Sequence, residues 1–84
     1  MSLPQLVKKV ASHLDLKTDR IISACRRQEI TEARSLISYL AINAMGYSAS
    51  EVARTLSISR VSAGRSAERG EKLLDKYDGL RGIA

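Results

Sequence analysis

With 84 residues, and 14 Lys plus Arg against 9 Asp plus Glu, the chain is short and carries a formal charge of +5. That length suits one domain, residues 1–84, with a modest core, and a pI near 9.8 suits a polyanionic partner. A single histidine, His13, and a single cysteine, Cys25, exclude the usual multi-ligand zinc patterns and any internal disulfide.

The remaining composition narrows the classes further. There is no Trp and no Phe, so the interior must be built from Leu, Ile, Val, Ala and three tyrosines, which favours closely packed helices over a sheet. The expected fold is all-α, with about five helices. No apolar run approaches the roughly 20 residues of a membrane helix. The amino end has neither the apolar core nor the cleavage site of a signal peptide. Cytoplasm is the expectation, with Cys25 as a small buried residue in a reducing compartment. No phosphate-binding glycine loop and no ionisable cluster is present, so neither catalytic residues, nor a cofactor, metal or small-molecule substrate is expected.

In chain order, Ser2 is an N-cap candidate for a helix over Pro4–Leu14, with Pro4 in the first turn and Leu6, Val7, Val10 and Leu14 as its apolar stripe. Asp15 and Leu16 break the pattern, and a short helix follows from Thr18 to Cys25 with Ile21 and Ile22 inward. Arg26, Arg27, Gln28 and Glu29 read as a basic loop, or equally as exposed arginines at a helix end. A long apolar element, from about Ile30 to Met45, carries Ala33, Leu36, Ile37, Leu40, Ala41 and Ala44 at helical spacing, and Gly46 stands as its C-terminal cap. Tyr39 is expected at a half-buried position. Residues 79–84 form a frayed tail.

The stretch Ser48 to Leu74 organises the rest. Ser48 and Glu51 have capping-box spacing, and the helix they open runs through Val52, Ala53 and Leu56. Ser57, Ile58 and Ser59 interrupt the period and supply a fresh N-cap, so a second helix starts near Arg60. Its small or apolar positions Ala63, Ala67, Gly70, Leu74 and Tyr77 recur at steps of three and four, leaving Arg60, Val61, Arg65, Glu68, Arg69 and Lys72 outward. This is a helix-turn-helix layout, with Ala53 at the helix crossing and Ile58 as the turn residue that plugs the core. An ordinary helical hairpin has small crossing residues too. Arginines along the outward face favour a helix inserted in a major groove. Gly64 and Gly70 each weaken the second helix; Gly70 suits close packing, and Gly64 suits either close approach of DNA or no purpose at all.

Several of these runs resemble a known family. Arg26-Arg27, Glu32-Ala33-Arg34, Tyr39-Leu40-Ala41, Ser48 to Arg54 and Gly70 to Leu74 are similar to the carboxy-terminal DNA-binding domain of the bacterial replication initiator DnaA, of the Trp-repressor-like helix-turn-helix class. They are more similar still to the DnaA-like domain at the carboxy end of REP-associated tyrosine transposases. The resemblance covers nearly the whole chain. It implies that the helix after Ser59 enters the major groove while the basic loop of Arg26 and Arg27 reaches phosphates or the minor groove. By position, Arg60, Val61, Ser62 and Arg65 would approach base edges, with Arg69 further along the same face. Ser48, Ser50 and Arg54 would touch backbone, and Ser59 opens the recognition helix. The initiator's Gly-Gly-Arg-Asp-His-Thr-Thr run is replaced by Ser57 to Ala63, so its origin sequence is not implied. The transposase's metal site and nucleophilic tyrosine are lacking, and Tyr39, Tyr47 and Tyr77 read as core and rim residues.

The expected function is sequence-preferring binding of double-stranded DNA in replication-initiator-like or transposase-associated regulation. The competing class is a protein-interaction module docking an acidic partner or a second copy of itself. Monomer, homodimer and membership of a larger parent protein all stay open.

Overall fold

A computed structural model of the chain describes residues 2–22 and 27–77. Among the described residues, the architecture is five α-helices and one π-helical turn, with no strand. No helix among them is long and apolar enough to cross a membrane.

Helix α1 spans Leu3–His13. Its start is fixed twice over, because the Ser2 hydroxyl accepts from the Gln5 N–H while the Gln5 side chain accepts from the Ser2 N–H. Leu3, Leu6, Val7, Val10 and Ala11 turn inward. The helix closes through Asp15, left-handed at φ 57, across which the Leu16 N–H reaches the Ala11 carbonyl at 2.8 Å. Helix α2, Thr18–Ile21, is a single turn. Ile21 is fully buried, but Ile22 is 38% exposed, so the inward assignment holds for the first isoleucine alone. One turn has room for only one inward position. Residues 23–25 of the expected Thr18 to Cys25 helix, and Arg26 of the basic loop, lie outside the described residues.

Helix α3, Gln28–Tyr39, begins two residues earlier than the apolar pattern implied. Gln28 and Glu29 belong to its first turn, not to a loop, because both face solvent there and leave no apolar signature. Ile30, Ala33, Leu36 and Ile37 form the inward stripe. Ser35 and Ser38 are buried with them, each hydroxyl donating back to its own helix, at 2.9 Å to the Thr31 carbonyl and 2.8 Å to that of Arg34. Arg34 itself turns towards α2, its Nε donating to the Ile21 carbonyl at 2.7 Å.

The expected continuation to Met45 is helical but not α-helical. Leu40–Ala44 forms a π turn, closed by the Met45 N–H on the Leu40 carbonyl at 3.0 Å. Gly46 then adopts φ +80, which suits a residue without Cβ, and the Tyr47 N–H bonds the Ala41 carbonyl at 2.9 Å.

Helix α4, Ala49–Leu56, carries the capping box between Ser48 and Glu51, and buries Val52, Ala53 and Leu56. Helix α5, Arg60–Leu73, buries Ala63, Ala67 and Gly70. Its most extensive packing is on α3 rather than on its sequence neighbour α4. That contact is unusually close: a Cβ on Gly70 would lie 2.1 Å from the Ser35 carbonyl oxygen and 2.8 Å from the Tyr39 Cβ. The close-packing role fits Gly70.

Candidate nucleic-acid interface

The joint between α4 and α5 is three residues long, and each has a distinct task. Ser57 sits in the left-handed region at φ 59. This lets the Ile58 N–H fold back onto the Ala53 carbonyl at 3.0 Å. Ile58 is half-buried and packs against the core, pinning the turn from inside. Ser59 caps α5, its hydroxyl accepting from the Ser62 N–H at 3.1 Å. The same hydroxyl lies 2.9 Å from the Ser62 Oγ, within hydrogen-bond distance.

On α5 the surface divides into two unlike halves. Val61, Arg65, Glu68 and Lys72 stand at steps of four, three and four, opposite the buried line of Ala63, Ala67 and Gly70. Arg60, Val61, Ser62 and Arg65 are all exposed, and residues 60–67 contain no acid. From Glu68 onward, acids and bases alternate, with Arg69, Glu71 and Lys72 all exposed. The acid-free half is also the helix N-terminus, where the partial positive charge of the backbone adds to that of the side chains. Among the described residues, no carboxylate engages Arg27, Arg54, Arg60, Arg65 or Arg69.

Ser48, Ser50 and Arg54 share α4 and its cap, and all three are exposed. Ser48 is partly committed, since its hydroxyl accepts from the Glu51 N–H at 3.2 Å and its N–H donates to the Glu51 carboxylate at 2.9 Å. Arg54 borders a shallow depression with Ser2, Pro4, Tyr47 and Glu51. Arg27 is exposed at the N-cap position of α3 and opens onto a different depression, shared with Lys17, Arg20, Asp15 and Glu29. Neither Lys17 nor Arg20 stood out in the sequence, because each is an isolated cation and only folding brings them beside Arg27. Thus the anticipated residues fall into three groups, on α5, on α4 and at the start of α3. Arg26 lies outside the described residues.

The perturbed titrating groups sit at the far end of α5, away from its arginines. The Tyr77 hydroxyl donates to the Glu32 carboxylate at 2.5 Å, and the Lys76 ammonium lies 3.4 Å from its other oxygen. Donation from Tyr77, reinforced by Lys76, holds the Glu32 carboxyl below its ordinary range despite partial burial. The same bond and burial push the Tyr77 phenol up. Contact with Glu32 raises Lys76, whose ammonium also lies 5.5 Å from the Tyr77 ring centre. Tyr39, Tyr47 and Tyr77 are each half-buried against the core. No group of three or more His, Cys, Asp or Glu side chains converges as a metal site among the described residues.

In comparisons with known proteins, no family model, no curated protein and no solved structure matches this chain.

Proposed function

We propose that α4, the Ser57–Ser59 turn and α5 act as a helix-turn-helix that binds double-stranded DNA with sequence preference, α5 lying in the major groove. The observation that carries this reading is the first half of α5, where Arg60, Val61, Ser62 and Arg65 are exposed on a segment, residues 60–67, that contains no acid, and are engaged by no carboxylate among the described residues, Glu68 being the first acid, one turn beyond Arg65. Arg60 and Arg65 donate to guanine edges, each good bidentate contact contributing about 1–3 kcal/mol of discrimination. Ser48, Ser50, Arg54 and Arg69 meet the phosphates, and Arg27, with Lys17 and Arg20 beside it, meets the backbone at a second place. The likeness to DnaA-like domains of replication initiators and transposase tails supports the same partner and a role in cytoplasmic DNA transactions. It is a likeness of motif only.

Selection from a random duplex library at about 150 mM salt tests the reading, because at that salt non-specific phosphate binding is weakened. An enriched motif is the expected result. Retention without enrichment would reduce the function to backbone binding, and no retention at any sequence would shift it to a protein partner. On the enriched duplex, log affinity should fall against log salt with a slope of about −4 to −5, for some five neutralised phosphates.

A further inference from the structure

Two features of α5 have no use inside the molecule. Val61 is 65% exposed, more than any other large hydrophobic residue described. Gly64 lies within a helix that glycine weakens relative to alanine, yet a Cβ built there would meet nothing within 4 Å. The contrast with Gly70 is direct, since there the Ser35 carbonyl leaves no room for a side chain. At Gly64 neither packing nor a positive φ calls for glycine.

Residues three and four apart are neighbours on a helix surface, so Val61, Gly64 and Arg65 form one patch. It consists of two exposed methyl groups, a length of bare backbone and a guanidinium. Within a major groove the thymine C5-methyl is the apolar group that a side chain can contact. We infer that Val61 and Gly64, on the DNA-binding reading above, form the point of closest approach to the duplex and receive a thymine methyl. Val61 makes the apolar contact, and the missing side chain at Gly64 gives clearance for the neighbouring edge of the groove. Arg65 then stands beside them, in reach of an adjacent base. A duplex suits this patch better than a second copy of the chain does, because Arg60 and Arg65 flank it while Glu68 is the one acid on its border, so two copies brought together here would set more arginines than acids against each other.

The test uses the duplex enriched from the random library, with each thymine replaced in turn by deoxyuridine, which removes the C5-methyl and nothing else. Wild type, Val61→Ala and Gly64→Ala are titrated against the series, and their thermal unfolding is recorded alongside. At one position the wild type should lose about fourfold in affinity, the fold-change of one buried methyl group, while Val61→Ala should be weakened on the parent duplex and lose nothing more on the deoxyuridine one. Gly64→Ala should melt higher than wild type and bind the same duplex more weakly. Equal binding of every deoxyuridine duplex, full methyl sensitivity in Val61→Ala, or undiminished affinity in Gly64→Ala would each overturn the inference and leave DNA binding standing. Failure to retain any duplex would overturn both, as would self-association of the wild type that Val61→Ala abolishes in place of DNA binding.

Discussion

The two ends of α5 are built on opposite rules. Towards its C-terminus the helix is pressed so tightly on α3 that Gly70 has no space for a Cβ, and beyond its last turn Tyr77 is tied to Glu32. Towards its N-terminus Ala63 and Ala67 are the buried side chains, and Arg60, Val61 and Arg65 face outward with no carboxylate among the described residues on either arginine. On the proposed DNA-binding function, one helix serves as anchor at one end and as reading surface at the other. Stability should respond to changes at the first end, and DNA affinity to changes at the second.

The sharpest way to break this division is Gly70→Ala. The added methyl would collide with backbone, not with a movable side chain, so α5 must shift as a whole. We predict a loss of about 3 kcal/mol or more, at the upper end of overpacking effects, read as a large drop in the denaturation midpoint; an unchanged midpoint would show that α3 and α5 are not in this contact. At the reading end, Arg65→Ala should reduce affinity for the selected duplex by about tenfold or more, given 1–3 kcal/mol for a base contact, and relax base preference. Its melting temperature should stay at the wild-type value. Arg27→Ala should instead weaken specific and random duplexes alike, and identical profiles for the two variants would remove the distinction between base and backbone contacts.

Smaller effects are expected where the division is not at stake. Ser48→Ala removes the cap of α4 and should cost about 1 kcal/mol of stability, measurable by urea titration; no change would mean that the box with Glu51 is idle. Smallest is the pH response of the Tyr77–Glu32 contact. Glu32 is held below its ordinary value of 4.5, so its contribution is complete above that pH and disappears as the pH falls through the lower folded value. Tyr77 is raised above 10.0, so its contribution is complete below that pH and disappears as the pH climbs through the raised value. Tyr77→Phe should flatten both limbs of the stability profile. A profile that is unaltered in the variant would remove this bond from the anchor.

Most helix starts were legible in the sequence because their caps are local. Ser48 with Glu51 and Ser59 before Arg60 specify two starts within three or four residues, and the structure has both. Ser2 has its reciprocal partner, Gln5, at the same spacing, so that start too is specified locally. Features that depend on distant parts of the chain were not legible. The Tyr77–Glu32 bond joins residues 45 positions apart, and nothing near either residue announces the other. Gly64 and Gly70 look alike in sequence, six residues apart on one helix, and only the position of the Ser35 carbonyl tells them apart. The π turn after Tyr39 was hidden for a different reason: Leu40 and Ala41 fit an α-helical apolar stripe equally well, so the period carried no mark of the changed hydrogen bonding. For the candidate interface, the exposed residues of α4 and α5 followed from periodicity, whereas the company of Lys17 and Arg20 around Arg27 required the fold.

The tight seat at Gly70 also has a mechanical meaning. Val61 lies nine residues before it (70 minus 61), a span of roughly 13–14 Å at about 1.5 Å per residue, so a tilt of about 5° at the seat would carry Val61 through about 1 Å. Seen as a lever, α5 magnifies any looseness at its fulcrum into error at its tip. The absence of a side chain at Gly70 thus sets a tolerance on where Val61 and Arg65 are held.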